Sequence, residues 1–173
     1  VSRKEFLIFM AAAVAVLSLG TIYGVIVGIL LSFAAVILTA TNPPRTFLGI
    51  IPGKKDFYDL EKSHFACPVS RVVIYRFSEN LFFANIKILQ TDIERSIRDD
   101  TRAVILDAGA VNSLDITAAD GLEKLANSLE KRGICFYITE HTANINDQMR
   151  KLGIGYLIRE GKVRRTILAA LHD

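Results

Sequence analysis

From Phe6 to Ala40 the chain runs 35 residues without an Asp, Glu, Lys, Arg or His. A stretch of that length reads as membrane-embedded, because no core helix of an ordinary soluble domain needs so long a charge-free run. Everything after Arg45 is mixed sequence rich in charge. The 51% hydrophobic content of the 173 residues is therefore an average over two solvents. That division excludes a single soluble globule, a disordered chain and a disulfide scaffold. It predicts a membrane segment followed by one water-soluble domain of about 110 residues, enough for one core.

A straight helix of this length would be about 52 Å long, against a hydrocarbon layer of about 30 Å. Gly20-Thr21-Ile22-Tyr23-Gly24 supplies a break, since glycines with β-branched residues between them weaken a helix. We expect a membrane α-helical hairpin in residues 1–42, with two short transmembrane helices at about 4–19 and 22–41. A linker follows over 43–63 and a soluble domain over 64–173. Helices this short need other protein around their ends, and the chain begins with Val1; both point to a longer parent. The apolar stretch exceeds the core of a signal peptide. Arg3 and Lys4 precede the hairpin, and Arg45, Lys54 and Lys55 follow it, with no charge in the turn. The positive-inside rule then places both ends and the domain in the cytoplasm. Gly24, Gly28 and Ser32 are either a helix-packing face or scattered small residues.

The formal charge is +3, of which +1 lies beyond Arg45. That near-neutrality gives no electrostatic case for a nucleic-acid partner. Arg159, Lys162, Arg164 and Arg165 are read either as a contact for lipid head groups or a partner, or as a solvated face. Cys67 and Cys135 are expected to be reduced thiols, with Cys135, inside the apolar run Ile134–Ile138, a small core residue. No spacing suits a metal, no phosphate loop is present, and no cofactor is expected. Glu140-His141 is read as an exposed loop pair lacking a nucleophile, so the chain is expected not to be an enzyme.

Within the soluble part, Val72–Phe77 is β-branched and aromatic, and Leu81–Phe83 reads as a second strand. Asn85 is a candidate cap for a helix whose apolar stripe is Ile86, Leu89, Ile93 and Ile97. Ala103–Asp107 and Ile134–Thr139 are apolar runs suited to the middle of a parallel sheet. Between them lies a helix starting near Thr117, with Ala118, Leu122, Leu125 and Leu129 inward. A short helix over 144–152 stops at Gly153, and Val163, Ile167 and Leu171 mark a last one. This order predicts an α/β sandwich whose last three strands are parallel, joined by right-handed crossovers. Pro43-Pro44 and Pro52-Gly53 interrupt the linker, which is expected to be ordered against its neighbours.

Ile74–Phe77, Leu81–Asn85, Val104–Asp107, Asp115–Leu122 and Leu152-Gly153 together resemble the STAS domain of SulP (sulfate permease) anion transporters. Upstream, Gly24–Ser32 resembles that family's last membrane helix, and Ile51-Pro52-Gly53 its juncture. The resemblance implies a STAS-like mixed sheet with parallel central strands packed by helices. It also implies the C-terminal part of a secondary anion transporter in the cytoplasmic (plasma) membrane, homodimeric in the parent. The domain would then serve regulation, dimerisation or a cytoplasmic partner. In free-standing STAS proteins the turn matching Asp115-Ile116-Thr117-Ala118 carries a phosphorylated Ser, a place Thr117 occupies here; Ile116 and Ala118 depart from that pattern. A membrane-tethered signalling switch acting through Thr117 is thus the alternative function. Against it, Thr117 with Asp120 reads as a capping-box variant, and Asp115 as a turn or cap residue.

Overall fold

The computed structural model describes residues 3–173, with side chains from Phe6 onward except those of Ala15 and Leu19. The side chains of Arg3 and Lys4, used above for orientation, lie outside the described ones. The chain divides into two compact units, which meet in sequence at Asn42 and Pro43.

In the first unit, α1 (Arg3–Leu19) and α2 (Thr21–Ala40) turn back on each other at Gly20. Gly20 sits at φ +85°, a left-handed conformation that costs glycine least. Leu17, Ile22, Phe33 and Leu38 are exposed apolar side chains around the pair. α2 is long and apolar enough to cross a membrane by length and composition, whereas the apolar part of α1, Phe6–Ser18, is shorter.

The second unit is a five-stranded sheet in the order β2-β1-β3-β4-β5. β1 (Arg45–Ile50) pairs antiparallel with β2 (Phe57–Asp59) and with β3 (Val72–Phe77). β3, β4 (Ala103–Asp107) and β5 (Cys135–Thr139) are parallel, with Tyr75 beside Leu106 and Leu106 beside Ile138. The connections carry α3 (Ile86–Ser96) and α4 (Ile116–Lys131); α5 (Ala143–Lys151), α6 (Tyr156–Arg159) and α7 (Ile167–Leu171) follow β5.

Strand alternation sorts the core into two layers. Tyr75, Phe77, Val104, Leu106, Phe136 and Ile138 share a cluster with Leu89 and Ile93 of α3 and with Leu122, Leu125 and Leu129 of α4. Leu48, Ile74 and Ile105 form a second cluster with Ile167 and Ala170 of α7. Five residues of α7 cover that second face incompletely.

Several local expectations are corrected. Leu81–Phe83 is not a strand: only Leu81 bridges, to Leu114, so the three parallel strands are β3, β4 and β5. The stretch after the hairpin holds β1 and β2, short strands hidden among prolines and glycines. Gly49 is needed in β1, because a Cβ there would collide with the Cys67 carbonyl oxygen and stand 2.9 Å from its carbonyl carbon, backbone that a side chain's flexibility cannot relieve. Asn85 does not cap α3 with its side chain. Cys135 is exposed, since Phe136 and Ile138 take the inward positions of β5 and leave Cys135 on the thinly covered face. Val163 bridges Ile138 instead of joining the last helix, and Ile97 is the residue on which α3 ends.

Candidate functional site

The start of α4 is assembled from two loops at the carboxyl ends of the parallel strands, with α5 alongside. Asp115 is extended (φ −90°, ψ 171°) and is the cap residue. Its Oδ1 accepts from Ala118 N at 2.7 Å, and its Oδ2 accepts from Phe83 N at 2.8 Å, in the β3–α3 loop. One carboxylate thus satisfies an orphan helix donor and pins a second loop. Thr117 is exposed in the first turn and does not cap, because Asp115, two residues earlier, already occupies that role. The capping-box reading of Thr117 with Asp120 is therefore replaced by a single Asp115 cap.

Side-chain amides complete the scaffold. Asn85 is fully buried; its Oδ1 accepts from Phe82 N and its Nδ2 donates to Asn80 O at 2.8 Å. Asn80 Oδ1 accepts from Asn112 N and Ser113 N. Gln148 of α5 accepts from Leu114 N at 2.7 Å. A buried amide with both ends bonded is a rigid tie rather than a cost. The sequence displays these residues but not their partners, so this framework was missed. Phe83, held through its N–H by Asp115, and Ile116, which opens α4 just before Thr117, are 69% and 65% exposed. A phosphate on Thr117 would meet favourable helix donors, but also the carboxylates of Asp115 and Asp120.

Elsewhere, Gly24 is buried, and a Cβ on it would stand 2.8 Å from Val16 N of α1. Gly28 is looser, with Ala12 Cβ at 3.7 Å from the same construction, and Ser32 is exposed. The basic residues are unevenly placed. Lys162 pairs with Glu130 at 3.1 Å and with Glu160 at 3.7 Å; Arg164 pairs with Asp173 at 2.6 Å and lies over the Tyr137 ring. Arg159 and Arg165 are exposed. Two of the four charges are thus matched locally.

His141 is half-buried, correcting the exposed-loop reading; burial lowers its pKa against a backbone hydrogen bond at Arg164 and the Glu140 charge. Its Nδ1, Thr142 Oγ1 and Asn146 Oδ1 are buried without a hydrogen-bond partner. Asp107, at the end of β4, is buried and accepts from Arg76 Nε at 2.7 Å and from Gly109 N. Among the described residues no three His, Cys, Asp or Glu side chains gather as a metal site.

Mixed sheet, α3 to α6 packed into the cluster on one face and a tied turn at the start of α4 define an α/β sandwich that offers a rigid surface. The model for the STAS domain matches residues 68–170, and the chain belongs to that family. A probable sulfate transporter of Mycobacterium tuberculosis is 28% identical over 172 residues, covering 98% of this chain and 31% of the relative. Sulfate transporter 1.1 of Arabidopsis thaliana is 24% identical over 145 residues, covering 78% of this chain and 22% of the relative. The chain therefore spans less than a third of these relatives. Both are named as transporters, not enzymes. The fold follows that of the murine solute carrier 26 family member A9 anion transporter, solved in an inward-facing state. The TM-score is 0.83 at 20% identity, over 98% of this chain and 28% of that one.

Proposed function

We propose that this chain is the C-terminal part of a SulP-type secondary anion transporter. The hairpin closes the parent's membrane fold, and the STAS domain carries regulatory contacts on the cytoplasmic side of the plasma membrane. The observation that carries the reading is the reach of the likeness: 98% of the chain, hairpin and domain together, aligns with a probable sulfate transporter. A helix pair with outward apolar side chains supports membrane placement. The rigid Phe83–Ile116 surface supports contact with other protein, whether the parent, its twin or a cytoplasmic regulator. No observation favours the tethered-switch alternative over a transporter.

The test is removal of residues 43–173 from the parent, with sulfate uptake, surface delivery and oligomeric state measured together. We expect at least one to fall clearly. Unchanged flux, delivery and assembly would refute a regulatory domain.

A further inference from the structure

The start of the sheet is fastened more firmly than strand pairing requires. Arg45 opens β1 a few residues after α2 ends at Ala40. Its Nε donates to Asp92 Oδ2 on α3 at 2.5 Å, and its Nη1 donates to the Pro43 carbonyl at 3.3 Å. The Tyr75 hydroxyl donates to the same Asp92 oxygen at 2.8 Å. Tyr75 is fully buried, its ring held beside Phe47 at 5.0 Å and Phe77 at 6.4 Å between centroids. Ser78 N donates to the Pro44 carbonyl at 3.0 Å. Pro43 and Pro44 also have fixed φ.

These bonds differ from a surface ion pair, which solvent and salt screen to little net stabilisation. The Arg45 and Asp92 side chains are 31% and 22% exposed, and the shared oxygen is aimed by a ring the core immobilises. Two donors on one carboxylate oxygen fix its position better than either alone. α3 itself is tied to the helical layer, since Gln90 Nε2 donates to Gly121 O of α4 at 2.8 Å. The chain leaving α2 thus runs, within five residues, into a hydrogen-bonded part of the core. A free tether would show neither the paired carboxylate nor the two bonded proline carbonyls.

We infer that Arg45, Asp92 and Tyr75 form a knot that fixes the chain's entry into the STAS domain, so that a displacement arriving at Pro43 is passed to α3 through Asp92. The inference rests on the transporter reading above. The three side chains are positioning residues; none is assigned to the anion path.

The test uses the full-length parent, with hydrogen exchange read by mass spectrometry and substrate flux measured on the same variants. Asp92→Asn is expected to speed exchange of the Thr46–Leu48 and Ser78 amides tenfold or more. The Leu106 and Ile138 amides should stay slow, and flux should change at least twofold. Arg45→Asp should do the same, and combining it with Asp92→Arg should restore at least half of both effects. Unchanged juncture exchange overturns the knot. Faster exchange with unchanged flux overturns the coupling. If Asp92→Asn also loosens the core amides, Tyr75→Phe, which deletes one hydroxyl, is judged by the same two criteria. The 43–173 deletion separates the failures: a silent deletion sinks the regulatory reading, whereas an active deletion with a silent Asp92→Asn sinks the coupling alone.

Discussion

Replacing Asp115 with Ala should distinguish the residue that builds the α4 turn from the residue that merely sits in it. The carboxylate makes two bonds, at 2.7 Å to Ala118 N and 2.8 Å to Phe83 N. Loss of an N-cap costs about 1 kcal/mol, within a range of about 0.5–2. The Phe83 bond is exposed, so water replaces much of it, and its loss adds about 0.5–1 kcal/mol. The sum is about 1–3 kcal/mol. For a unit of this size one kcal/mol moves the melting temperature by about 3–5 °C, so Asp115→Ala should lower it by roughly 3–15 °C. Asp115→Asn keeps an acceptor and should lose about half as much. Thr117→Ala removes an exposed hydroxyl with no cap bond and should stay within about 0.5 kcal/mol. Urea unfolding of residues 43–173, followed by far-ultraviolet circular dichroism, compares the three. A Thr117→Ala loss equal to or larger than that of Asp115→Ala would refute this account of the turn.

Two further outcomes are expected. In the hairpin, Gly24→Val drives a side chain into the backbone of Val16, whereas Gly28→Ala meets only ordinary contact; the first should reduce the detergent-stable yield of the parent severalfold and the second should not. Folding favours neutral His141, because burial holds its folded pKa below the ordinary 6.5. Its contribution to stability is therefore full above about pH 6.5 and is lost as pH falls through the lowered folded value; His141→Gln should flatten stability against pH between about 7.5 and 5.5, as unfolding midpoints would show.

The parallel strands and their helices were legible because burial writes itself into spacing. Val104, Ile105 and Leu106 are apolar on both faces of β4, and Ile86, Leu89 and Ile93 repeat at helical intervals. Four kinds of feature were not legible. β2 is three residues long, too short for a period to emerge, and β1 contains the glycine that lets Cys67 and Leu60 approach. Asp115 and Thr117 are both good caps, and only backbone geometry decides between neighbours two apart. Asn85 is polar and yet fully buried, because its partners Asn80 and Phe82 are made available by the loop's own path. Cys135 alternates outward on a strand whose second face one short helix covers poorly, which an apolar run alone does not reveal.

The sheet starts at Arg45, while the family match starts at residue 68. Cutting the protein along its family outline would therefore remove β1 and β2 and turn β3, an interior strand, into an edge. The bared main chain of Val72–Phe77, apolar along most of its length, would be a template for a strand from another copy. A fragment beginning near residue 64 or 68 is then expected to self-associate for reasons created by the scissors, and its dimers would say little about the parent. A fragment beginning at Pro43 keeps its own edge covered, and is the one whose stickiness can be taken as a property of the protein.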